Sequence, residues 1–115
     1  MAENPGASQG RRIAVLSEPA DRDHAIIYAY TAHQWGVPQA ESYLDFLDEV
    51  MLRLADQPEM ALLVPRKKIT RVYTARWAGA RDGHRIFFRE TEDGILVLRI
   101  LHTKMNWRDH LGRID

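Results

Sequence analysis

Residues 95–101, Ile-Leu-Val-Leu-Arg-Ile-Leu, form an apolar run broken only by Arg99. Such a run predicts a central strand covered on both faces. Glu92-Asp93-Gly94 precedes it and supplies a tight turn, with Gly94 available for a left-handed backbone. Before the turn, Arg85-Ile86-Phe87-Phe88-Arg89 alternates basic and apolar residues, as the other arm of a hairpin would. An arginine inside a covered strand is costly unless it is partnered. His102, Lys104 and Arg108 follow it closely, so a basic surface on this sheet is expected.

The rest of the chain must cover that strand. Arg11–Leu16 reads as a first strand. Ser17 is a good N-cap, Pro19 suits a first helical turn, and Glu18, Asp21 and Asp23 place negative charge at the helix start. The helix should run over 18–35, with Ala20, Ile27, Thr31 and Trp35 on one face. Gly36 ends it and Pro38 opens a second helix over 38–55. The connection is so short that the two must form an antiparallel hairpin. Tyr43, Leu47, Val50 and Leu54 mark the second helix's buried stripe, widened by Leu44 and Met51.

Ala61–Val64 is apolar and reads as a short strand or a packed loop. Pro65-Arg66-Lys67-Lys68 is a basic turn. Ile69–Trp77 alternates as a strand, and 78–83 is a loop. The order strand, helix, helix, strand, strand, strand predicts an α+β fold, with a helical hairpin packed on one face of a mostly antiparallel sheet. Residues 1–10, small and polar with Pro5, Gly6 and Gly10, are expected to be a disordered tail before one domain over 11–115.

The formal net charge of +0 hides an asymmetry. Residues 1–60 carry four arginines against ten carboxylates, a net of −6; residues 61–115 carry twelve basic against six acidic side chains, a net of +6. Either the two halves pair with each other, or the basic half attracts a polyanion or an acidic protein segment. The chain has no cysteine, which excludes disulfides and thiolate chemistry and fits a cytoplasmic setting. No segment approaches the ~18 apolar residues of a membrane span. The N-terminus lacks the pattern of a secretion signal. The five histidines show no two-ligand spacing beside a carboxylate, so neither a metal site nor a cofactor is expected.

Several stretches, taken in order, resemble the ParE branch of the ParE/RelE toxins. They are Ser17-Glu-Pro-Ala, Trp35-Gly, Gln39-Ala-Glu with Tyr43-Leu44, Leu54-Ala55 with Pro58, His84-Arg-Ile-Phe-Phe-Arg89, and Leu98-Arg-Ile-Leu-His102. The resemblance spans about residues 11–111 and is most specific at Leu98–His102, followed by Met105 and Arg108-Asp-His-Leu111. It implies the toxin half of a bacterial type II toxin–antitoxin pair. The implied partners are a ParD-like ribbon-helix-helix antitoxin, in a hetero-oligomeric complex, and DNA gyrase as target. The alternatives are a RelE-type endoribonuclease acting on ribosome-bound message, or a protein that binds its antitoxin but has lost toxicity.

The ribonuclease chemistry needs a proton acceptor, a proton donor and cations for the phosphate. By resemblance these are lysines on the second strand, an arginine opening the third, and an arginine and a tyrosine near the C-terminus. Arg85 matches the third-strand arginine. The second strand offers Arg71 and Arg76 but no lysine, and the C-terminal positions fall at Met105 and near Leu111, both apolar. Arg85, His102 and His110 are what remains for such an enzyme. The resemblance therefore favours a non-enzymatic gyrase poison. Arg71, Arg76, Arg85 and Arg99 are then expected to face the antitoxin, with Arg99 also in a structural ion pair. Lys104, Trp107 and Arg108 are expected to meet the target, Trp107 as an exposed aromatic anchor. Trp35 and Trp77 are expected in core or edge packing.

Overall fold

The computed structural model describes residues 12–112; the expected tail over 1–10 lies outside them. Strand β1 (Ile13–Leu16) leads into helix α1 (Glu18–Trp35), then helix α2 (Val37–Asp56) and a 3-10 turn (Pro58–Met60). Strands β2 (Leu62–Leu63), β3 (Arg71–Ala75), β4 (His84–Thr91) and β5 (Gly94–His102) follow, and a short helix α3 (Arg108–Leu111) closes the described chain. The sheet order is β1-β5-β4-β3-β2. The class is the α+β one expected, but the sheet has five strands and is mixed. The first strand inserts beside β5 and runs parallel to it, while every other pairing is antiparallel.

Local chemistry accounts for the helical hairpin. Ser17 Oγ accepts the Ala20 N–H at 3.2 Å, so the cap satisfies a donor that the first turn leaves open. Gly36 sits at φ 97°, a conformation costly for other residues, and both ends one helix and begins the next. Leu44, Leu47, Val50, Met51 and Leu54 of α2 pack with Ala20 and Ile27 of α1 onto Ile86, Phe88, Ile95, Val97 and Ile100 of the sheet. Each fully buried Leu, Ile or Phe contributes about 2 kcal/mol relative to its exposed state.

The sheet's other face has a smaller core. Val64, Phe87, Leu101 and Leu111 are buried together, with Val72 and Trp107 packed against them. The stretch after β5 thus folds back as a cover, and β5 is shielded on both faces as its composition demands.

Two local expectations change. The hairpin turn is Glu92-Asp93, because Thr91 pairs with Gly94, which already belongs to β5. Gly94 is required for a different reason: a Cβ there would lie 1.9 Å from the Ile13 carbonyl oxygen. Strand β3 is also shorter than its alternation suggested, ending at Ala75.

A bulge lies opposite Phe87/Phe88. Phe87 pairs with Arg99 and Phe88 with Val97, so Leu98 is the extra residue. Strand β1 ends at Leu16, leaving the rest of β5 without a strand neighbour on that side. Side chains continue the ladder. Ser17 Oγ donates to the Leu98 carbonyl at 3.0 Å, and Asp23 Oδ2 accepts the Ile100 N–H at 2.9 Å. Arg12 fastens the opposite end of β1 to α2, its Nε donating to the Ala55 carbonyl at 2.8 Å.

Candidate functional site

The two helices do not cover the last part of the sheet. A groove of about 710 Å³ opens there, with α1 as one wall and Ile100, His84 and His102 on its floor. Ile26, Tyr30 and Trp35 line it from α1 and are 65%, 63% and 67% exposed. Met105, Tyr43 and Trp77 also line it. Trp77 stacks on Phe46, with centroids 6.1 Å apart, so that part of the lining belongs to a packed aromatic cluster. Isolated exposed apolar side chains are ordinary; several gathered around one groove mark a binding surface.

The groove floor carries polar side chains. Tyr43 Oη and His84 Nδ1 are 2.7 Å apart. Burial pushes the Tyr43 hydroxyl up to about 12, so it stays protonated and can donate to that nitrogen. Burial, and then the nearby His102, push His84 down to about 4, with a smaller opposing effect of Asp23. His84 is therefore neutral at pH 7, and accepting at Nδ1 leaves its proton on Nε2. His102 meets His84 edge-on, with ring centroids 5.2 Å apart. Its Nδ1 accepts the Lys104 N–H at 3.0 Å, so its neutral form also carries the proton on Nε2. Two imidazole N–H donors thus belong to a largely apolar groove.

Arg99 borders the groove in a bidentate pair with Asp23, at 2.8 and 3.0 Å. Its Nη1 also donates to the His110 carbonyl at 3.0 Å, tying α1 to the C-terminal cover. The Asp23 hydrogen bond raises the guanidinium's pKa further.

The other expected arginines bond carbonyls within the chain. Arg71 donates to the Ala61 carbonyl at 2.9 Å and lies 3.5 Å from Glu90. Arg76 donates to the Arg81 carbonyl at 2.9 Å, and Arg85 to the Thr103 carbonyl at 2.7 Å. Register places Arg71 on the Phe88 face of the sheet and Arg85 on the Phe87 face. Of the residues kept for a ribonuclease, His102 and His110 both line the groove; Arg85 does not. Among the described residues no three His, Asp or Glu side chains are grouped as a metal site.

The expected target-binding residues divide. Lys104 lies 3.5 Å from Asp82. Trp107 is half-buried rather than exposed, with its ring 5.6 Å from Phe87 in the second core. A tryptophan in a polar stretch finds cover here because Leu111 brings the chain back onto the sheet. Arg108 then sits over the Trp107 ring at 4.3 Å. Trp35 departs from its expectation of packing in the core or at an edge, since most of its surface is open.

The family model described as the ParE toxin of the parDE type II toxin–antitoxin system matches residues 14–107. The chain belongs to the ParE toxin family. It is 32% identical over 97 residues to Toxin ParE1 of Caulobacter vibrioides, an alignment covering 84% of this chain and 95% of that one. It is 34% identical over 93 residues to Toxin ParE1 of Mycobacterium tuberculosis, covering 79% and 90% respectively. The fold is similar to a solved structure titled as the chromosomal ParDE system from P. aeruginosa. That match has a TM-score of 0.65 and 20% identity, and covers 83% of this chain and 99% of the other. This ParE-family chain is thus a toxin of the ParDE type, and its described residues include no helix long and apolar enough to cross a membrane.

Sequence reasoning missed the groove. Nothing in the sequence marks Tyr30 or Ile26 as groove residues, and Asp23 stands there only as a helix-start charge. A signal was present: Ile26, Ile27, Tyr28, Tyr30 and Trp35 do not fall on one stripe of α1. One core face cannot absorb them all.

Proposed function

We propose that this toxin is held inactive by a ParD-like antitoxin, whose amphipathic segment fills the groove, and that its target is DNA gyrase. The observation that carries the antitoxin half is the set of exposed apolar side chains Ile26, Tyr30, Trp35 and Met105 around one groove. Covering them would remove apolar surface from water at about 25 cal/mol per Å². The origin of the similar solved structure in a ParDE system supports a partner of that kind. The gyrase half rests on family membership, with Lys104 and Arg108 as the exposed cations of the C-terminal segment.

The test is a supercoiling reaction with purified gyrase. Loss of supercoiling with trapped, cleaved DNA, reversed by the product of the neighbouring reading frame, is the expected result. Full supercoiling in the presence of folded toxin would reject the target.

A ribonuclease reading keeps one specific support: His102 and His110 line the same groove as Arg99. Against it, Arg85 is bonded to Thr103, while the positions for a second arginine and a tyrosine are Met105 and the buried Leu111. Cleaved message in a translation reaction would favour this reading. Unimpaired growth on expression, with antitoxin binding intact, would point instead to a toxin that has lost its activity.

A further inference from the structure

A second recess, of about 450 Å³, lies away from the groove. Two segments about forty residues apart in sequence build it: the turn with Arg66 and Lys67, and the cover with Trp107 and Arg108. No carboxylate lines it among the described residues. We propose that this recess binds the phosphate backbone of a nucleic acid, with Arg66 and Arg108 as the phosphate-contacting cations.

Three features favour phosphate over other occupants. Arg66 and Arg108 are exposed, and neither makes an ion pair with a carboxylate among the described residues, whereas Arg71, Arg99 and Lys104 each do. Arg108 is held in place by the Trp107 face, which in turn is fixed against Phe87. A guanidinium held in this way loses less freedom when it binds an anion. Arg66 is also the one non-glycine residue with positive φ among the described residues, at 68°. The turn therefore holds a cation at a backbone position that glycine would occupy without strain.

The geometry also selects the kind of contact. Arg108 covers one face of Trp107, and the ring packs into the second core, so it is no platform for an unpaired base. What remains is electrostatic and independent of sequence, as phosphate contacts are. This goes beyond the gyrase reading, because it requires DNA affinity of the toxin alone.

The test uses the full chain and a short labelled DNA duplex, with anisotropy read over a range of salt concentrations. Two cations predict a slope of log K against log salt of about −1.8. Arg66→Gln and Arg108→Gln should each reduce that slope by about one, equally for unrelated sequences. Arg22→Gln, in an exposed pair with Glu18 on α1, should leave it unchanged. Thermal melts confirm that the variants are folded. No binding at low salt overturns the proposal, as does a slope that survives both substitutions. Competition by polyglutamate as strong as by DNA would reassign the recess to an acidic protein segment. Competition by inorganic phosphate at equal phosphate concentration would reassign it to a single anion. Gyrase inhibition is assayed separately, so loss of DNA binding and loss of toxicity can be told apart.

Discussion

Asp23 and Arg99 lie 76 positions apart and meet in a two-pronged ion pair, at 2.8 and 3.0 Å. The same carboxylate accepts the Ile100 N–H at 2.9 Å. One side chain thus neutralises a charge in β5 and serves as that strand's edge partner where β1 stops. The Asp23 and Arg99 side chains are 11% and 21% exposed, so water can replace little of this.

Asp23→Ala should therefore destabilise the fold by about 2–4 kcal/mol, because it strands both a guanidinium and a backbone donor. Asp23→Asn, which keeps an acceptor for Ile100, should cost clearly less. Urea unfolding of the two variants checks the order. Equal costs would mean that the Ile100 hydrogen bond contributes nothing.

His84 makes stability depend on pH. Its folded pKa, about 4, lies below the ordinary value of 6.5. Between those values the unfolded chain binds the extra proton and the folded one does not. Stability is present above about pH 6.5 and is lost as pH falls toward 4, by at most about 3 kcal/mol for this one group. Replacing His84 with Gln should flatten that part of the curve. Urea midpoints from pH 7 to 4.5 would show it; identical slopes in both proteins would remove His84 as the cause.

Gly94→Ala should break the seam between β1 and β5. The added methyl would sit 1.9 Å from the Ile13 carbonyl oxygen and 2.7 Å from its nitrogen, both backbone atoms that cannot swing aside. A loss of at least about 3 kcal/mol is expected. Hydrogen exchange of the Ile13–Leu16 amides reports the seam directly, and unchanged protection would contradict the clash.

Arg66→Gly should gain stability while losing affinity for DNA. Relief of a left-handed backbone is worth about 1–2 kcal/mol, offset by about 0.5–1 kcal/mol for the extra freedom of glycine in the unfolded chain. The net gain is between zero and about 1.5 kcal/mol. A thermal melt and the salt-slope measurement on the same sample test both halves together.

Trp35→Lys should leave the fold within about 0.5 kcal/mol of the parent, since most of the ring already faces water. It should weaken antitoxin binding by about 2 kcal/mol, roughly thirtyfold, if the ring is a groove anchor. Calorimetry against the product of the neighbouring reading frame measures this. Unchanged affinity would move the antitoxin away from the groove.

Local chemistry made much of the fold legible in the chain. Ser17 as cap, Gly36 between two helices, the stripe of α2 and the apolar run of β5 each act within a few residues, and all reappear in the structure. The candidate site was far less legible. A sequence records the charge of Arg71, Arg76 and Arg85 but not the carbonyl that each guanidinium bonds. Trp107 read as exposed because nothing near it in sequence announces Phe87 as a neighbour.

Sequence alone determined the element order, the two helices, the covered status of β5 and the resemblance to ParE toxins, because propensity, capping and hydrophobic period are short-range properties. Only the tertiary structure decided that β1 inserts parallel to β5, that Asp23 completes the ladder, that α1 leaves an apolar groove open, and that Arg66 and Arg108 line one recess. Those outcomes depend on which distant groups satisfy one another once water is excluded. No local pattern specifies that choice.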